Sequence, residues 1–127
     1  MQNAAARILS KTSKFTHITP VLKQLHWLPI VERIKFKILL LTWKTIHGFA
    51  PHYFDDLISE YVPSRSLRSS GTGMLTPRRV NCSFGDKAFA TSVPVLWNAL
   101  PSSVRNAKTL ESFKTGLKTH LFLSYFN

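Results

Sequence analysis

The chain has one cysteine, Cys82, among 127 residues. A lone thiol forms no internal disulfide, which fits a reducing compartment. It also excludes a zinc knuckle built on several thiolates. Acids are scarce: six Asp and Glu face seventeen Lys and Arg, for a net charge of +11 and a pI near 10.3. Five scattered glycines make no phosphate-cradling loop, and "GTG" at 71–73 is only a turn signal. The longest apolar run, "ILLLTW" at 38–43, is too short to span a bilayer. The N-terminus, "MQNAAARILSKTSKF", lacks the apolar core of a signal peptide. It is basic and free of acids, as mitochondrial presequences are, but its apolar face is short. The expectation is an intracellular protein, nuclear or cytoplasmic, neither secreted nor embedded in a membrane.

What is present is a packed globule with an unbalanced charge. A hydrophobic content of 44% argues against disorder. At this length, residues 1–127 read as a single helical domain or a fragment of one. The positive surplus attracts polyanions, nucleic acid before anionic membrane.

The pattern is mainly α. Residues Asn3 to Leu9 read as a helix with Asn3 as its cap. Thr19-Pro20 reads as a second start, cap then proline, with a stop near "HWLP". The strongest element is "PIVERIKFKILLLTWKTIHG", about 30–47, ended by Gly48. Taking 100° per residue from Arg33, Ile34, Ile38 and Leu41 fall between about 80° and 140°, and Leu39, Trp43 and Ile46 between about 220° and 280°. Arg33, Lys37 and Lys44 share a strip about 40° wide. Apolar almost all round, this helix is expected to be central and buried. Its basic seam either tracks a phosphate backbone or keeps one edge wet by snorkelling.

"APHYFDDLISEYVP" reads as a helix between Pro51 and Pro63, burying Phe54, Leu57, Ile58 and Tyr61. Asp55 and Asp56 then fall near its N-terminus, where the dipole favours carboxylates. Residues 63–73 form a flexible basic Ser/Gly/Arg loop carrying Arg65 and Arg68. It is either a phosphate-contacting loop, with Ser66 or Ser69 as phosphorylation sites, or a solvated connector. Residues 74–84 read as short extended segments, which Pro77 confines to a sheet edge, with Arg78 and Arg79 beside it. Asp86 caps a helix holding Ala88, Phe89 and Val93; Pro94 kinks or restarts it, and Leu96 and Trp97 join the core. The last helix starts at Thr109. Leu110, Phe113, Leu117 and Leu121 make its stripe, Lys114 and Lys118 lie alongside, and Gly116 implies close packing.

Catalytic signatures are few. Tyr53-Phe54-Asp55-Asp56 has the letters of a reverse-transcriptase active site, but that motif sits in a strand-to-strand turn with a partner carboxylate to hold two metals. Here the pair lies in a helical pattern, and none of Glu32, Glu60, Asp86 or Glu111 sits in an apolar strand pattern to assist. The histidines, at 17, 26, 47, 52 and 120, include no pair at i, i+4. No serine sits in a nucleophile elbow, and Cys82 has no flanking protease signature. The expectation is no enzyme, no metal and no cofactor. Trp27, Trp43 and Trp97 are able to stack bases, but their apolar surroundings favour core packing.

Several blocks occur in order: "QNAAAR", "HITPVLKQLHWLPIVERIKFKILLLTWKTIHGFAP", "YVPSRSLRSSGTGML", "FGDKAF", "LWNALP" and "FKTGLKTHLF". Together they resemble the extreme C-terminal region of proteins encoded by LINE-type, non-LTR retrotransposons, over nearly the whole chain. The resemblance implies a mainly helical appendage downstream of the polymerase, handling template RNA or target DNA, without the endonuclease and polymerase parts. Val95 departs from it, standing where members often carry a basic residue. Three readings follow. One is a non-catalytic nucleic-acid-binding module, in which Arg33, Lys37, Lys44, Arg65, Arg68, Arg78 and Arg79 neutralise phosphates of RNA or DNA. Another is a domain that docks on a reverse-transcriptase polypeptide, exposing an apolar patch and self-associating when alone. The third is a truncated retroelement remnant with no selected role.

Overall fold

The computed structural model describes residues 1–65, 68, 73–81 and 88–127. It is mainly helical, with α1 Gln2–Ser10, α2 Ile18–Gln24, α3 Ile30–Ile46, a 3₁₀ helix at His52–Leu57, α4 Phe89–Asn98, α5 Ser102–Arg105 and α6 Leu110–Phe126. Among the described residues, β-structure is confined to one antiparallel bridge, Glu60 with Leu75.

The core forms where α3, α4 and α6 meet. Phe113 of α6 is fully buried between two indoles, its ring centre 5.8 Å from that of Trp43 on α3 and 5.8 Å from that of Trp97 on α4. Leu39, Val93, Leu117 and Leu121 close around this stack. Each indole N–H has a carbonyl to donate to. Trp43 reaches Ala107 at 3.3 Å and Trp97 reaches Gly73 at 2.8 Å. The buried aromatics thereby fix two connecting segments as well as three helices.

α3 is central but not buried along its whole length. Leu39, Thr42 and Trp43 face the core, whereas Ile30, Val31 and Ile34 are 58, 61 and 54% exposed. The reason lies in what covers each sector. α4 and α6 cover the Leu39–Trp43 side, and the 3₁₀ helix reaches α3 on another. The exposed isoleucines and valine all lie in the first five residues of α3. The helix ends as Gly48 predicts. With φ at 73°, Gly48 lets its own N–H reach Thr45 and that of Phe49 reach Lys44, satisfying terminal carbonyls.

Helix starts differ from expectation in several places. Asn3 lies inside α1, which begins after Met1, so it is not the cap. α2 begins at Ile18, because the His17 ring accepts the Thr19 N–H at 3.4 Å and takes the capping role from Thr19. Pro20 stays within the first turn, where its missing N–H costs no bond. Pro94 does not restart the helix: α4 runs through it, with Val93, Pro94 and Trp97 buried together. Ala88 flanks that helix, and Asp86, the expected cap, lies outside the described residues. Thr109 does cap α6, accepting from the Ser112 N–H at 3.2 Å. A methyl built on Gly116 would meet Val104 at an ordinary 3.5 Å, so packing there leaves room for a methyl.

The segment after Pro51 is also shorter as a helix than its spacing implies. It makes two turns of 3₁₀ helix, then becomes extended at Ile58. Ser59–Tyr61 instead pairs with Met74–Thr76, through Tyr61 N–H to Met74 and Thr76 N–H to Ser59. Tyr61 is therefore exposed rather than buried. Backbone pairing won over helical periodicity because Asn98 holds the partner strand. Its side-chain oxygen accepts from the Leu75 N–H at 2.9 Å, and its amide donates to the Leu75 carbonyl at 2.9 Å.

α1 and α2 form a smaller cluster on the far end of α6, with Ala6, Val21 and Leu22 buried against Trp27 and Phe126. Gln2 donates to the Leu28 carbonyl at 2.7 Å, and Lys23 to that of Phe126 at 3.3 Å.

Asn98→Ala strands both backbone groups of fully buried Leu75. It should cost about 2–6 kcal/mol, at roughly 1–3 kcal/mol for each of the two unpaired buried polar groups. Urea unfolding followed by circular dichroism measures it; an unchanged midpoint would mean that the bridge is dispensable.

Candidate nucleic-acid interface

α3 packs on α6, and a cleft of about 370 Å³ opens between them and the α2–α3 connection. Its lining comes from four places: Gln2 of α1; His26, Trp27 and Leu28 before α3; Arg33, Phe36 and Lys37 of α3; and Lys118 of α6. Each is positioned by a local cause. Arg33 and Lys37 are four residues apart, so they stack on one helix face. Lys118 follows buried Leu117 and so emerges at the edge of the α3–α6 contact. The 24–28 turn is set by His26, whose φ of 53° is in the left-handed region, and by the Trp27 N–H donating to Leu22 at 2.9 Å. The His26 ring stacks on Phe122 of α6, with centres 5.3 Å apart.

The cleft combines an apolar floor with a cationic rim. Trp27 and Phe36 are half-buried, and Leu28 is buried. Arg33, Lys37 and Lys118 are exposed at the rim, and among the described residues no carboxylate lines the site. Three positive charges around a low-dielectric concavity focus a field that draws anions.

Of the seven cations expected to contact nucleic acid, the structure brings Arg33 and Lys37 together here. Lys44 lies on the same strip but is half-buried and does not line the cleft. The seam is thus shorter than its sequence spacing implies. Arg78 donates to the Asp56 carbonyl at 3.0 Å, tying its segment to the end of the 3₁₀ helix. Arg65, Arg68 and Arg79 are exposed and lie outside the cleft. Ser66 and Ser69 lie outside the described residues, as does Cys82.

Trp43 and Trp97 are core residues, each 2% exposed; Trp27 alone of the three reaches a cleft. Lys118 belongs to the site although its own helix gives no sign of it. Arg105 is buried, donating to the Asn98 and Leu100 carbonyls at 3.3 and 3.4 Å, so it holds the end of α4. Glu32 is buried too, at 5% exposure. One of its oxygens pairs with Lys35 at 2.8 Å, and the other makes no hydrogen bond. Its place in the first turn of α3 is where the helix dipole favours a carboxylate.

Tyr53 to Asp56 lie in the 3₁₀ helix, not in a strand-to-strand turn. Asp55 faces His52 at 3.3 Å and shares a second, smaller cleft of about 180 Å³ with Glu60. Two carboxylates fall short of the three or four groups that hold a metal. Among the described residues, no group of three or more His, Cys, Asp or Glu converges. Nor is any described helix long and apolar enough to cross a membrane.

The geometry makes Trp27 a reporter of the rim charge. Iodide should quench a distinct fraction of the tryptophan emission more strongly than caesium does, and Trp27→Phe should remove that fraction. Equal quenching by the two ions would contradict a cationic cleft.

Compared with known proteins, the chain matches no family model, no curated protein sequence and no solved structure.

Proposed function

We propose that this chain is a non-catalytic, intracellular nucleic-acid-binding module, of the kind that its sequence blocks suggest for the C-terminal region of non-LTR retrotransposon proteins. It works without cofactor or metal. One observation carries the reading: Arg33, Lys37 and Lys118 ring a single cleft with no carboxylate among the described residues of its lining. The net charge of +11 and exposed Arg65, Arg68, Arg78 and Arg79 extend the attraction beyond it. Binding through these groups is electrostatic and largely blind to sequence, because phosphates carry no base identity.

Salt titration of binding to single-stranded RNA and duplex DNA tests this. Affinity should fall steeply with salt. Changing Arg33, Lys37 and Lys118 together to Gln should flatten the log–log slope for a single strand by about 2, at roughly 0.7 per phosphate no longer neutralised. Lys44→Gln, outside the cleft, should change it less. Flat binding between low and moderate salt, or a triple variant with the wild-type slope, counts against the module.

A second reading rests on the outer face of α3. Ile30, Val31 and Ile34 are contiguous and exposed at the start of the helix. They suit a protein contact, either with a polymerase polypeptide or with another copy of the chain. In that case sedimentation should show concentration-dependent association that Val31→Glu and Ile34→Glu abolish. A monomer at high concentration would remove the self-association.

A further inference from the structure

We propose that the cleft between α3, α6 and the Trp27 turn is a pocket for one unpaired base of a single nucleic-acid strand, stacked on Trp27 with its flanking phosphates on the rim. This rests on the nucleic-acid reading above and narrows it to single strands.

The cleft suits a base better than a phosphate alone. A phosphate needs donors around it, whereas the floor here offers the half-buried rings of Trp27 and Phe36. Flat apolar surface of that kind matches the face of a base, and stacking on aromatics is the usual way proteins hold unpaired bases. The volume of about 370 Å³ lies at the lower end of the roughly 300–1,000 Å³ typical of small-ligand pockets. That is ample room for one planar group the size of a base.

The rim then accounts for the sugar–phosphate chain. Arg33 and Lys37 stand one helical turn apart on α3, and Lys118 comes from α6. A strand passing over the cleft meets cations from two different elements while its base points inward. The lack of a carboxylate among the described residues of the lining fits a neutral base and disfavours a cationic ligand. A duplex keeps its bases stacked within a convex rod and meets only the rim. The pocket therefore favours single strands, and it reads base faces rather than base edges.

Four probes on the full chain decide it: a labelled single-stranded oligonucleotide, the same strand with its bases removed, a duplex of equal length, and a free mononucleotide. Removing the bases should weaken binding about tenfold, the size of one lost stacking contact. The duplex should bind more weakly than the intact strand. Trp27→Leu should abolish the difference between intact and abasic strands yet keep the steep salt dependence. Should that variant unfold, the wild-type comparison of intact with abasic strand decides alone. Equal binding of intact and abasic strands, with salt dependence retained, overturns the pocket and leaves the electrostatic module standing. Failure to bind any probe at low salt overturns both. A mononucleotide bound as tightly as the strand would make this a free-nucleotide site and also overturn the proposal.

Discussion

The stack of Trp43, Phe113 and Trp97 is the contact on which the structure depends. One ring from each of α3, α6 and α4 meets at the centre, so the three helices share one packing event. The two indole N–H groups then reach outward, to Ala107 and Gly73, and fix the segments that lead into α6 and into the bridge. Large aromatic surfaces supply much of a small core's burial, and their polar ends supply direction. A core of aliphatic residues alone would lack the second effect.

The cationic cleft follows from that packing. Phe113 and Leu117 seat α6 against the core, and Lys118, the next residue, is carried to the edge where α3 presents Arg33 and Lys37. Neighbouring like charges repel, which costs stability, and the buried contacts of the core hold them in place regardless. The site and the core are thus two sides of one helix pair.

The outer face of α3 shows the limit of this small fold. Its core side is fully used, but no described element covers Ile30, Val31 and Ile34. A single helix that is apolar on nearly all sides needs neighbours on all sides, and the described chain supplies them on some. This face and the cationic cleft begin in the same turns of α3, so a partner seated on one would crowd the other.

The mainly helical class, the span of α3, its stop at Gly48, the Thr109 cap and the Phe113–Leu117–Leu121 stripe could all be read in the sequence. These are local features, set by periodicity and by residues with one strong backbone preference. Arg33 and Lys37 were legible as a pair for the same reason, being one turn apart. Other features depended on distant residues. Asn98 chose an extended Ser59–Tyr61 over a longer helix by holding Leu75 on the opposite segment. Pro94 stayed within a helix because its neighbours were buried with it. Sequence spacing put Lys44 with Arg33 and Lys37, whereas packing replaced it with Lys118, some eighty positions away along the chain. Spacing along one helix determines which residues share a face; only the way helices pack decides which faces share a site.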